Sequence, residues 1–127
     1  MHFSFTFGLL LSISMWSIFS VQSSSVEWLG PQIHEFGDLI HTEGAVHEFE
    51  FKNISGDTIL IDNVRPSCGC TIPEWENVPV LPDSVGSIRV EYDARDQGYF
   101  KKKIKVFFSN QRRAEILFVE GWVVKVD

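Results

Sequence analysis

Cys68 and Cys70 are the only cysteines of the 127-residue chain, and a single glycine separates them. In an extended segment, residues two apart point the same way with Cα atoms ~6.5 Å apart, just inside the span a disulfide bridges. Gly69 permits the kink that closes the remaining distance. Closing so short a loop contributes only about 1.5 kcal/mol of chain entropy, against ~3 kcal/mol for a loop of 15 residues. A Cys68–Cys70 bridge is therefore no staple for a whole fold. Three uses fit the pair. It could be a quiet disulfide that shapes a loop, the default in an oxidising compartment. It could be a soft-metal site for Cu(I), completed by His34, His41 or His47 if the fold brings one near. It could be a thiol–disulfide exchanger in which Arg65 lowers a thiol pKa, although the usual C-x-x-C at a helix start is absent. Zinc fits poorly, because its ligand pairs are spaced more widely and no second pair follows.

Other residues attract notice for their type. Lys101, Lys102, Lys103 and Lys105 form a basic run. On a strand the odd-numbered three share one face while Ile104 and Val106 point the other way, which is the pattern of a solvated sheet face or of a site for an acidic glycan or anionic surface. Lys102 has the inward parity, so pairing should begin only near Phe100, or a bulge should intervene. Asn53-Ile54-Ser55 matches a glycosylation acceptor, and equally a turn asparagine. Trp75, after Pro73, suits a lid on the core edge or a ligand clamp. Paired carboxylates, a Gly-rich phosphate loop and a Ser-His-Asp grouping are all missing from the pattern, so no catalytic residue, cofactor or resident metal is implied.

The elements that must hold these residues are strands. Beyond residue 30 the apolar period is two, and short segments alternate with turn chemistry. Residues 45–53 set Phe49 and Phe51 against Glu48, Glu50 and Lys52, and residues 53–57 supply a turn. Residues 58–64 are β-branched. In residues 86–93, Ile88, Val90 and Tyr92 alternate with Arg89, Glu91 and Asp93. In residues 99–109, Phe100, Ile104, Val106 and Phe108 share a face; residues 110–113 form a hairpin loop and residues 114–126 return as the last strand. With a first strand at 33–40 and a short one at 70–72, about seven strands are expected, arranged as two packed antiparallel sheets. The last strand is apolar on both sides: Ile116, Phe118 and Trp122 on one, Leu117, Val119 and Val123 on the other. Either it lies centrally in a sheet covered on both faces, or Phe118 and Trp122 belong to an exposed patch where a partner docks.

Residues 1–23 carry no Lys, Arg, Asp or Glu and run through Phe3, Phe5, Phe7, Leu9 to Leu11, Ile13, Ile18 and Phe19 into small polar residues. That reads as an export signal peptide cleaved near Ser23, with an uncleaved anchor as the alternative. Residues 24–32 are expected as a linker and residues 33–127 as one domain. All 11 Lys+Arg and 17 Asp+Glu lie beyond Ser25, so the mature chain holds the whole net charge of −6. Such acidity argues against a nucleic-acid partner. Nothing past Ser25 is apolar enough for membrane insertion of the mature chain.

Several phrases align with one family. They are His34-Glu35-Phe36-Gly37, Glu43-Gly44, the run from Val46 to Asn53, the run Asn63-Val64-Arg65-Pro66-Ser67-Cys68-Gly69-Cys70-Thr71-Ile72-Pro73-Glu74-Trp75, and Gly86 leading Ile88 to Tyr92. Over roughly residues 33 to 123 the chain resembles the bacterial domain of unknown function 1573, an exported family related in architecture to Hydin-type and major-sperm-protein-like sandwiches. Arg65 to Thr71 is the specific part; Glu35 departs from a frequent Asp. The resemblance implies an all-β, immunoglobulin-like (Ig-like) sandwich and a Cys-Gly-Cys loop, and brings no activity. The expectation is thus a non-enzymatic module, periplasmic or extracellular, that binds an unknown protein or envelope component or gives structural support. A small Cu(I) or thiol-redox protein using Cys68 and Cys70 is the alternative.

Overall fold

A computed structural model describes residues 24–126. The signal-peptide assignment for residues 1–23 lies outside the described residues. Eight strands follow one another: β1 (Val26–Trp28), β2 (Ile33–Ile40), β3 (Ala45–Asn53), β4 (Ile61–Pro66), β5 (Thr71–Trp75), β6 (Val85–Tyr92), β7 (Gly98–Phe108) and β8 (Glu115–Val124). They form two four-stranded sheets, ordered β1-β3-β6-β5 and β2-β8-β7-β4. The fold is the expected all-β Ig-like sandwich. Among the described residues no helix is long and apolar enough to cross a membrane.

The seam between the sheets follows from the two-residue alternation. Phe49, Phe51, Ile88, Val90 and Tyr92 from the first sheet are all at most 3% exposed, and face Ile104, Val106, Phe108, Leu117 and Val119 of the second. Each large side chain so buried contributes about 1.5–3 kcal/mol. Aromatic rings lock the layers together: Phe51 meets Phe108 edge-on at 5.0 Å, and Tyr92 stacks on Phe100 at 3.9 Å.

Four features differ from the sequence-based expectation. Residues 24–32, read as a linker, contribute β1, which pairs with β3 through Glu27↔Lys52 and buries Val26 to 3% exposure. The strand count is therefore eight rather than about seven. The sheets are not wholly antiparallel, because β2 runs parallel to β8. Its register shifts between Glu35 and Asp38, around Gly37 at φ 72°. The opposing Gly121 is required there: a Cβ would lie 2.7 Å from the Gly37 carbonyl oxygen. Finally, β7 pairs with β8 without interruption from Gly98↔Val123 to Val106↔Glu115. Lys102 accordingly takes an inward, half-buried position opposite Val119, with no bulge.

Candidate functional site

The chain passes from one sheet to the other through the turn at residues 67–70, between edge strands β4 and β5. The Ser67 amide donates to the Lys103 carbonyl at 2.9 Å, tying the turn to β7; the Asp93 amide donates to the Cys70 carbonyl at 3.0 Å, tying it to the end of β6. Between these anchors the backbone is turned rather than extended, with the Thr71 amide 3.4 Å from the Cys68 carbonyl. The turn shortens the Cys68–Cys70 Cα separation to 5.3 Å, near the middle of the disulfide range, and the two sulfurs are joined. Gly69 is not what permits this: its φ is ordinary and a Cβ would meet nothing within 4 Å. Both cysteines are half-buried, and Cys70 packs against the core. Thr71 is buried, and its hydroxyl lies 4.0 Å from the Cys68 sulfur and 3.9 Å from the Cys70 sulfur.

The histidines do not complete a shell around these sulfurs. His34 of β2 and His47 of β3 stack on each other across the open side of the sandwich, centroids 3.6 Å apart, flanked edge-on by Phe36 and Phe49. Burial pushes the His34 imidazole below its ordinary range. Burial first, and repulsion from His34 second, push His47 the same way, opposed by Glu48. His41 Nε2 lies 2.8 Å from the Arg95 carbonyl. Among the described residues no group of three or more His, Cys, Asp or Glu converges to hold a metal ion. The glycosylation reading also fails on geometry. Asn53 is 0% exposed, and its amide nitrogen donates to the carbonyls of Asp57 (2.8 Å) and Val80 (3.0 Å). Its oxygen accepts from the Ser55 amide at 3.0 Å and hydroxyl at 2.7 Å. This asparagine organises the turn after β3.

β8 lies inside its sheet, yet only one of its faces is covered. Leu117, Val119 and Val123 are buried, whereas Trp122 is 54% exposed. The antiparallel register with β7 sets Tyr99, also 54% exposed, directly opposite Trp122, with ring centroids 5.4 Å apart. One row further, Glu120 accepts a hydrogen bond from the Tyr99 hydroxyl at 2.9 Å, which raises that phenol's pKa. In the next row Phe118 lies half-buried beneath two cations: Lys101 Nζ is 4.8 Å and Lys103 Nζ 5.9 Å from its centroid. Such contacts are worth about 0.5–1 kcal/mol at an exposed site. Lys105 continues the basic stripe to Arg65 of β4, whose guanidinium sits 5.3 Å from the Phe107 ring. The outer face of β7 and β8 is thus a surface of exposed rings, with Glu120 and Glu35 beside Tyr99 at one end and the cations Lys101, Lys103, Lys105 and Arg65 toward the other.

Of the residues the sequence singled out, Phe118 and Trp122 come together on this face. Trp75 does not join them: it closes the end of β5 on the opposite sheet, packed partly against the core. Cys68 and Cys70 occupy the turn between the sheets. Tyr99 joins them without having been singled out: a loop centred on residues 110–113 would set it opposite Val124, and the observed register, shifted by two residues, sets it opposite Trp122 on the same face.

The architecture has close spatial counterparts. The PapD-like domain 7 of human CEP192 superimposes with a TM-score of 0.68 at 9% identity, over 83% of this chain and 89% of that one. WR4, a C. elegans MSP family member, gives 0.56 at 8% identity, over 80% of this chain and all (100%) of the other. These likenesses define a PapD-like, MSP-type sandwich. A protein of unknown function from Porphyromonas gingivalis W83 gives 0.66 at 13% identity, over 84% of this chain; the chain spans about half (51%) of that protein. No curated protein matches the sequence. The family model for "Protein of unknown function (DUF1573)" matches residues 29–123, and the chain belongs to that family.

Proposed function

We propose that this protein is a non-enzymatic, exported binding module, and that the outer face of β7 and β8 is its docking surface. The carrying observation is the Tyr99–Trp122 pair: two large rings in contact, each 54% exposed, standing on a rigid sheet. Solvent-exposed aromatics held at fixed spacing are the anchors interfaces use, since little side-chain freedom is lost when they are covered. The adjoining cations Lys101, Lys103, Lys105 and Arg65 favour an acidic partner, a protein or another envelope component carrying carboxylate or phosphate groups. The Cys68–Cys70 bridge fits the oxidising compartment that an export signal implies, and its role here is to fix the crossover turn. The experiment is affinity capture from an envelope fraction, comparing the wild type with a Tyr99→Ser, Trp122→Ser variant. A second variant, Ile54→Ser, changes an exposed apolar residue away from the face. Loss of a discrete captured component with the first variant alone supports the proposal; equal capture by all three proteins removes it.

A further inference from the structure

The opposite sheet carries a second recognition feature. β5 ends at Trp75, opposite Ile88, while β6 begins at Val85, so Val85 to Ser87 have no neighbouring strand on that side. The backbone polarity of this stretch is fixed by its neighbours. The Asn53 amide donates to the Ser84 carbonyl, so Gly86, Ile88 and Val90 direct their backbone groups toward β3. The Asp93 amide donating to the Cys70 carbonyl gives the complementary result, with Glu91 and Arg89 directed toward β5. By the same alternation Val85 and Ser87 aim their polar groups into the lane that β5 vacates. Pro73 obeys this parity too, since its missing N–H falls where the edge faces outward.

The lane stays open because the chain is drawn away. After Trp75 it crosses to Val80, which exchanges two backbone hydrogen bonds with Ile59 (2.7 and 3.0 Å). What remains is a groove of about 660 Å³, within the range of ligand sites. Its chemistry has two parts. Val78, Leu81 and Val85 are 51%, 59% and 55% exposed around it, an apolar lining without a partner. Glu48, Glu50, Glu74 and Glu76 stand against the single cation Arg89, which pairs with Glu74 at 3.4 Å and with Glu91 at 4.0 Å. The groove is therefore strongly acidic and apolar, with an unpaired strand edge as its floor.

We infer that this groove receives an extended, cationic segment of a partner protein, which continues the sheet beside Val85 and Ser87. Lys or Arg residues meet Glu48, Glu50 and Glu76, while the intervening apolar residues cover Val78 and Leu81. Main-chain pairing supplies affinity and alternate side chains supply specificity, the logic of strand addition. This inference goes beyond the proposed function: the groove lies on the sheet opposite Trp122, so the module would hold two partners of opposite charge on its two faces.

The test uses a fluorescein-labelled Lys-Val-Lys-Val-Lys-Val-Lys peptide as probe and its Glu-Val counterpart as comparison, titrated by anisotropy at physiological salt. The Lys peptide is expected to bind, with affinity falling roughly tenfold in a Glu48→Gln, Glu50→Gln variant. It should change by less than about twofold in a Glu35→Gln, Glu120→Gln variant, which removes the same charge from the other sheet. Amide hydrogen exchange at Val85 and Ser87 is expected to slow on binding. Equal weakening by both variants would show attraction to net charge alone and overturn the proposal. So would binding of the Glu peptide as tightly as the Lys peptide, or unchanged exchange at Val85 and Ser87.

Discussion

His34 and His47 come from different sheets, yet their imidazoles lie 3.6 Å apart with planes within 5° of parallel. The stack links β2 to β3 across the side of the sandwich, and protonating both rings would set two like charges against each other at that distance. Burial depresses both pKa values, His47 further through His34. In the unfolded chain each ring titrates at the ordinary 6.5, so below that pH the unfolded state binds more protons. Stability is expected to be flat above neutrality and to fall as pH drops below about 6.5, levelling off only under the depressed folded pKa values. Urea unfolding at a series of pH values checks this, with His47→Phe expected to flatten the dependence. Constant stability between pH 7.5 and 5 would contradict it.

Two glycines are expected to differ in their tolerance of alanine. At Gly121 the added methyl meets the Gly37 carbonyl oxygen at 2.7 Å and the Phe100 ring at 3.1 Å. Backbone on one side and a core ring on the other leave little room, so Gly121→Ala should cost about 1–3 kcal/mol. Gly69, between the cysteines, has open space and an ordinary φ. Gly69→Ala should stay within about 0.5 kcal/mol of wild type. Denaturant midpoints of the two variants decide the matter, and a reversed order would refute the packing described around β2 and β8.

Removing the disulfide should matter little to the fold. A bridge closing three residues restricts the unfolded chain by about 1.5 kcal/mol at most, and the turn keeps its backbone anchors at Ser67 and Cys70. The Cys68→Ser, Cys70→Ser variant is expected to fold with a loss no greater than that, measured by thermal melting beside the oxidised wild type. A protein that fails to fold without the bridge would show that the turn, not the sheet ladder, holds β4 and β5 in place.

Asn53 should matter more. Its side chain satisfies two carbonyls and accepts two donors inside the turn after β3. Asn53→Ala removes four hydrogen bonds from the turn, but the Val80 carbonyl keeps the Ile59 amide, the Ser55 amide keeps the Ser25 carbonyl and the Ser55 hydroxyl keeps the Asp57 carbonyl, so the expected loss is about 1–2 kcal/mol. Chemical denaturation checks it; a near-neutral substitution would mean that the turn is held by its backbone alone.

How much of this was legible beforehand depended on whether the signal was local. The inward faces of β3, β6, β7 and β8 follow from strict alternation, and every residue placed on the seam from Phe49 to Tyr92 is buried there. β1 was not legible, because three residues, Val26 to Trp28, carry too little alternation to register. Nor was the parallel course of β2, since alternation reports which side a residue faces and not which way its neighbour runs. The family resemblance drew attention to Cys68 and Cys70 but could not say that the backbone turns between them. Phe118 and Trp122 were found as types; that they share a surface with Tyr99 and two stacked lysines depends on pairing across β7 and β8. Trp75, read as a lid on the core edge or a ligand clamp, packs partly against the core at the end of β5. Its place on the other sheet is a matter of topology.

The most direct test of the docking surface is hydroxyl-radical footprinting of the protein, alone and with an envelope extract, read out at single residues by mass spectrometry. The proposed function requires that oxidation of Tyr99 and Trp122 fall together in the presence of extract while exposed Ile54 and Val126 react as before. Unchanged labelling of Tyr99 and Trp122, alongside protection elsewhere on the molecule, would contradict it.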